Sequence, residues 1–292
     1  MFIKIFTIGL LCSFVFHGVA MNVAGREITF TYPEWKLKAL VFSYDDGHVA
    51  DRQLVEIFNR YNMRATFHIP SAWLKTKTQN RVSVNEINKL YAGHEVSGHG
   101  ANHFNLAQLD KTQIDAEIKA DINEWKRIIG KNIIGYAYPY GGYSAEVVKL
   151  LKANGLIYAR TVDKKRNFDL PADFLKWHPQ AHHTAKIYDL GEKYLNFEPQ
   201  KMSVLLIWGH SYEFPSKNNW DVIEKFCALM AKKDDIFYAT MGDVASYVTA
   251  CRKIVSEFDG RKIKNNSGMR LFFIHNNRKI ILDPQHEYIL ER

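Results

Sequence analysis

The stretch Ala39-Leu40-Val41-Phe42-Ser43-Tyr44-Asp45-Asp46-Gly47 starts as a short apolar, β-rich run and breaks off in two carboxylates and a glycine. It is the first of seven such runs; the others span Ala65 to Ile69, Glu95 to Gly98, Ile133 to Tyr138, Leu156 to Arg160, Ser203 to Trp208 and Ile236 to Ala239. Runs of this length bounded by polar clusters read as strands. Amphipathic stretches separate several of them. Leu54, Val55, Phe58 and Tyr61 mark the inner face of a first helix. Ser83 with Glu86 forms a capping box before a stop at Gly93, and Ile114, Ile118, Ile122, Trp125 and Ile129 make a stripe ending at Gly130. Ser144 caps a further helix that closes at Asn154 and Gly155. Strand and helix units joined by short connections predict an α/β fold on a parallel sheet, either closed into a barrel or open and doubly wound.

Two regions depart from this rhythm. Thr161 to Lys201 is a long polar segment, containing Asp169, Pro171, Asp173, His178, Pro179, His182 and His183, and reads as an extended loop over one face. After Cys251, Arg270 to Ile274 and Lys279 to Leu282 flank His275, Asn276 and Asn277 in the manner of a β-hairpin. The expected organisation is therefore a leader over residues 1–20, a catalytic domain over 21–250 and a small β appendage over 251–292. The leader is read from Lys4, the apolar run Ile5 to Phe16, and the small residues Gly18 and Ala20. That run is short for a membrane span and is interrupted by Ser13 and His17, so no stable span is expected after cleavage. A secreted or periplasmic protein follows.

The formal charge is +8, of which the leader removes Lys4. A basic exported chain suits anionic envelope polymers, although the charge serves solubility equally well, and nucleic acid is not an expected partner. Only Cys227 and Cys251 remain after the leader, which excludes a disulfide-dense scaffold and a four-cysteine zinc site. They either pair or stay as buried thiols. Cys227 stands among Trp220, Ile223, Phe226 and Met230 at helical spacing.

The unusual polar residues fall just beyond strand ends. Asp45, Asp46 and Gly47 follow the first strand, His99 and His103 the third, Pro139 and Tyr140 the fourth, and His210 the sixth. In α/β barrels the loops at that end converge on one site. Singly, each element has a plain explanation: a turn, a packed histidine pair, loop punctuation. Together on one rim they read as chemistry. Two imidazoles and one carboxylate fill three positions on a zinc-like cation and leave room for water and substrate. His99 and His103 suit this if the chain turns helically after the strand, because residues four apart then face the same way. Adjacent carboxylates point apart, so one binds metal while the other takes a proton from the attacking water. A separate acid must protonate the leaving group, and His210 stands in reach of that role.

These residues resemble the polysaccharide deacetylase family, also called the NodB homology domain or carbohydrate esterase family 4. Ser43-Tyr44-Asp45-Asp46-Gly47 resembles its TFDDG motif, and His99-Gly100-Ala101-Asn102-His103 its HSxxH motif. Ala137-Tyr138-Pro139-Tyr140-Gly141 is similar to RxPYG, and Ile207-Trp208-Gly209-His210 takes the place of the final LxH. Matches run from about Leu40 to Tyr247. The resemblance implies a distorted (β/α)7 barrel, Asp45 as base, and Asp46, His99 and His103 as ligands of a divalent metal, with Zn2+ expected. It also implies an oxyanion contact from the Tyr140 N–H, His210 as acid, and an acetylated carbohydrate or envelope polysaccharide as substrate.

The departures are specific. Ala137 replaces the arginine that contacts the base, leaving Asp45 without that partner unless Arg160 reaches over. Trp208 replaces a leucine that shapes the acetyl pocket, so a bulkier wall is expected; with Pro139, Tyr212 and Arg160 it completes the expected substrate contacts. The DxxDW segment that tunes the acid has no clean match, and Asp163, Asp169, Asp173 or the histidines from His178 to His183 are its candidate substitutes. Two other readings stay open: a weakened carbohydrate-binding module stacking sugars on Trp177, Trp208, Tyr140, Tyr143 and Tyr212, and a related cyclic-amide hydrolase.

Overall fold

The computed structural model describes residues 19–23, 26–75, 79–258 and 261–290. The leader expected over residues 1–20 lies almost wholly outside the described residues. In chain order the strands are β1 Ala20–Val23, β2 Arg26–Thr31, β3 Lys38–Asp45, β4 Ala65–Ile69, β5 Glu95–Gly98, β6 Gly135–Ala137, β7 Tyr158–Arg160, β8 Ala181–His182, β9 Ser203–His210, β10 Ile236–Ala239, β11 Lys262–Lys264, β12 Leu271–His275, β13 Arg278–Leu282 and β14 Glu287–Ile289. The helices are α1 Asp51–Arg60, α2 Ile87–Leu90, α3 Lys111–Ile129, α4 Ala145–Ala153, α5 Ile187–Leu195, α6 Glu213–Lys217, α7 Trp220–Met230 and α8 Met241–Glu257.

The main sheet is parallel and runs β7-β6-β5-β4-β3-β9-β8, while β10 pairs with the first half of β3 on the edge that β4 takes over in the second half. It curls. Trp177 N–H donates to Ala159 O at 2.9 Å on β7, and four residues later Ala181 pairs with Ile207 of β9, so the segment between them brings the two ends of the curl together. The result is a curled parallel sheet with helices outside, consistent with a distorted (β/α)7 barrel.

Alternation along β3 explains how this sheet makes a site. Leu40, Phe42 and Tyr44 point outward into one core with Leu54 and Phe58 of α1. Ala39 and Val41 point the other way, into a second core with Met241, Val244, Ala245 and Val248 of α8. Ser43 and Asp45 continue that inner face, which therefore changes from apolar to polar as β3 approaches its C-terminal end. The same holds around the curl, where Thr66, His68, Ser97 and Arg160 are all buried. Most buried polar groups find partners, and on this inner wall Arg160 donates to Ser43 and Asp45 and Tyr158 to Ser97.

One expectation needs correction. The polar segment after Thr161 is not a structureless loop: it holds a 3₁₀ turn at Phe174–Lys176, strand β8 and helix α5, each with buried apolar residues. Helix α8 runs unbroken through the boundary expected at residue 251, with Cys251 itself buried. The expected C-terminal hairpin is β12 with β13, and β12 also pairs antiparallel with β2, so the four strands order as β1-β2-β12-β13. Cys227 and Cys251 are both buried free thiols.

Candidate active site

Register decides which expected residues meet. On the parallel pair β3 and β9, Asp45 stands opposite His210 and Ser43 opposite Trp208, while on the other side Asp45 stands opposite His68 of β4. Laterally paired residues share a face, so Asp45, His210 and His68 line one rim. Asp46 begins the turn after β3 with φ 80°, His103 has φ 62° and Tyr140 φ 58°. Left-handed backbone at non-glycine residues costs free energy and collects at functional sites.

Asp46 Oδ1 lies 3.5 Å from His103 Nε2 and 3.8 Å from His99 Nε2. The two imidazole Nε2 atoms are 3.1 Å apart. His99 and His103 do not converge through a helical turn. Gly100 adopts φ 78° and His103 φ 62°, folding the loop back so that both rings reach one point. His99 Nδ1 donates to Ala137 O at 2.8 Å, which leaves the Nε2 lone pair facing inward. The His103 ring is held between Trp73 and Tyr140, with centroids at 4.9 and 4.7 Å. Burial pushes both histidines down to about 4, so at neutral pH they are uncharged and able to donate lone pairs. Asp46 Oδ1 is buried without a hydrogen-bond partner among the described residues. Two inward lone pairs and an unpartnered carboxylate oxygen around one point fit a divalent cation.

Asp45 presents its two oxygens differently. Oδ2 accepts from Arg160 Nη2, whereas Oδ1 is buried and makes no hydrogen bond among the described residues. Burial raises the Asp45 carboxyl, but Arg160 foremost, then His99, His210 and His68, outweigh it and hold the group well below the usual carboxylate range. Arg160 is itself wholly buried, donates from Nε to Ser43 Oγ at 2.9 Å and lies over the Trp208 ring at 4.4 Å. Across the rim, His210 Nδ1 is 3.1 Å from Glu213 Oε1. Burial lowers His210, yet Glu213, Asp45 and Asp46 more than offset this and raise it above its ordinary value.

Residues 34–159 match the family described as polysaccharide deacetylase. Over that stretch the chain is similar to the polysaccharide deacetylases. A peptidoglycan deacetylase of Helicobacter pylori is 29% identical over 113 residues, which are 38% of this chain and only 36% of that protein. A Mycobacterium smegmatis protein assigned to the polysaccharide deacetylases shares the fold with a TM-score of 0.60 at 18% identity, over 76% of this chain and 93% of that one. A probable polysaccharide deacetylase of Pseudomonas aeruginosa does so at 0.57 and 14%, over 71% and 89%. An allantoinase reaches 0.58 at 12% identity, over 73% and 91%, so the barrel is common to more than one chemistry.

The departures from the family motifs are met in identifiable ways. Arg160, one strand over from Ala137 and paired with it in register, gives Asp45 the cationic partner that Ala137 cannot. It exposes nothing to solvent. None of Asp163, Asp169 and Asp173 contacts His210: they face His178, Lys201 and a 3₁₀ cap respectively. Glu213 takes that place instead. It was not among the expected residues, although a carboxylate three positions after His210 is legible in the chain. Equally unexpected are His68, with Nδ1 3.2 Å from Ser43 Oγ, and two acids on α3. Asp121 accepts the His99 N–H at 3.0 Å, and Glu117 accepts the Asn102 N–H, so α3 braces the loop between the histidines. Both acids lie on the buried stripe of that helix, a signal that apolar periodicity passes over.

Of the remaining expected contacts, Tyr140 is the most open, at 71% exposed. Pro139 is buried at the start of its 3₁₀ turn, and Tyr212 packs 5.1 Å from His210. Trp208 is half-buried between Arg160 and His182, so it backs the base's partner as well as walling the rim. Trp177 is fully buried against Phe174 and Tyr158 and offers no sugar platform. Tyr143 is stacked on Tyr138.

Proposed function

We propose that this protein is a metal-dependent hydrolase that removes acetyl groups from a carbohydrate, an N-acetyl amino sugar or an O-acetylated polysaccharide. The observation that carries the reading is the inequality of the two Asp45 oxygens: Oδ2 is tied to Arg160 and lies 3.8 Å from His99 Nε2, and Oδ1 is buried, 3.7 Å from His68 Nδ1, without a hydrogen bond among the described residues. A carboxylate kept ionised with one free oxygen is built to accept a proton. Asp46, His99 and His103 would hold the cation, zinc being the expected one for a set of two imidazoles and a carboxylate. When bound, such a cation polarises the acetyl carbonyl and acidifies water.

The chain's own residues supply the remaining steps. Asp45 takes the proton of the attacking water. His210, oriented through Nδ1 by Glu213, gives a proton to the departing nitrogen or oxygen. The Tyr140 N–H stabilises the developing oxyanion, its left-handed backbone setting that group's direction. The Helicobacter pylori relative makes peptidoglycan the first substrate to try. The leader expected at residues 1–20 makes action outside the cytoplasm the natural setting. No helix among the described residues is long and apolar enough to cross a membrane.

The test is acetate release from chitin oligomers, peptidoglycan and acetylated xylan, with and without chelator. Release that stops with chelator and returns with zinc is the expected result. Chelator-insensitive release, or none from the whole panel, would refute the reading.

A further inference from the structure

Beside the Asp46 triad, a second group of metal-capable side chains stands on the same rim. His182 of β8, His210 of β9 and Glu213 of α6 bring ligand atoms within 4.8 Å of one another. His210 Nδ1 is 3.1 Å and His182 Nε2 3.5 Å from Glu213 Oε1. Ligands at about 2.1 Å around a tetrahedral ion lie about 3.4 Å apart, so these spacings are those of a tetrahedral edge. His183 adds a second observation. It is 1% exposed, its Nε2 stands 3.1 Å from Glu213 Oε2, and neither atom makes an aligned hydrogen bond. The ring is wedged there because the chain has glycine at 209, where a Cβ would lie 2.0 Å from His183 Nδ1. Three imidazoles thus surround one carboxylate whose Oε2 lacks a hydrogen bond, at a place about one-fifth open to solvent.

We propose that His182, His210 and Glu213 form a second divalent-cation site, weaker than the first, whose filling switches the enzyme off. The inhibitory part rests on the deacetylase reading; the binding part does not. A cation on His210 Nδ1 replaces the proton held toward Glu213. The ring then cannot become the doubly protonated acid that the leaving group requires. Weakness follows from His182. Its Nδ1 lies 2.8 Å from Thr184 Oγ1, which can accept a proton there and free Nε2 for metal. The Thr184 N–H, 3.3 Å away, favours the opposite tautomer and must give up that bond first.

Titrating ZnCl2 into chelator-stripped protein by calorimetry tests the site directly. The expected isotherm has a tight and a weak phase. His103→Ala should lose the tight phase and keep the weak one, whereas His182→Gln and Glu213→Gln should keep the tight phase and lose the weak one. The retained phase reports that each variant is folded. In turnover, zinc beyond the first equivalent should inhibit the wild type by about 10²-fold, the scale of a lost general acid. That inhibition should vanish in His182→Gln. A monophasic isotherm, or a weak phase that survives both His182→Gln and Glu213→Gln, overturns the proposal. Two phases without acetate release from any glycan would leave this site standing and sink the deacetylase reading; activity with a monophasic isotherm does the reverse.

Discussion

Asp45 and Asp46 are neighbours in sequence and opposites in environment. Asp46 leaves the strand in a left-handed conformation toward His99 and His103, while Asp45 stays on the inner face with Arg160 and His68. Asp46→Asn should therefore lower bound metal, measured by elemental analysis. Asp45→Asn should retain metal and lose about 10²-fold or more in turnover at saturating zinc. Equal metal loss in the two variants would return the pair to a plain turn. The acid makes a second test. His210 must be protonated to act, so activity falls as pH rises through its raised value. Glu213 is the leading group that offsets burial there, so Glu213→Gln should move the alkaline limb of the kcat profile to lower pH. An unmoved limb would show that Glu213 has no hold on the acid.

Helices α3 and α1 each bring buried carboxylates under the rim. Glu117 accepts both the Asn102 N–H and its side-chain Nδ2, at 2.5 and 2.8 Å, and so fixes the loop that carries both histidines. Groups that orient ligands commonly govern metal affinity, and Glu117→Gln should weaken zinc binding by roughly tenfold with the fold retained. Unchanged affinity by competition with a chelator would make Glu117 a purely structural acid. At the start of α1, Asp51 accepts the Tyr91 hydroxyl at 2.6 Å and is wholly buried. Burial, only partly offset by hydrogen bonds, pushes its carboxyl up to about 7. A carboxyl whose folded value exceeds its unfolded value of about 3.9 contributes its full stability below the unfolded value and loses it as pH rises through the folded one. Asp51→Asn, neutral throughout, should gain in Tm relative to wild type between pH 5 and pH 8. A constant difference across that range would show that Asp51 does not ionise there.

The two ends of the chain are built into one layer, since β2 near the start pairs with β12 near the end. Phe30 and Phe273 pack at 5.5 Å, and Leu271, Phe273 and Leu282 share a core with Tyr247, Val248 and Cys251 of α8. We propose that this layer is part of the catalytic domain's own core. Removing residues 259–292 should then expose that face of α8 and leave a chain that aggregates or melts well below the full protein, at about 2–5 kcal/mol for each large buried apolar side chain lost. A truncated chain with unchanged Tm would restore the appendage to independence.

The seven main strand positions are legible in the amino-acid order alone, because short β-rich runs, most of them largely apolar and bounded by polar clusters, stand out in one dimension. The two aspartates, the histidine pair and His210 are legible for a related reason: polar residues placed where a buried run ends carry little packing explanation. Pairing is not legible this way. Arg160 reaches Asp45 across 115 positions, and Glu117 reaches Asn102 from another element. Glu213 is one more acid in a helix until register sets His210, His182 and His183 around it. Single-residue chemistry is local and is written in the chain. Which charge neutralises which is decided by strand order, by the curl of the sheet, and by the cost of leaving a buried polar group without a partner.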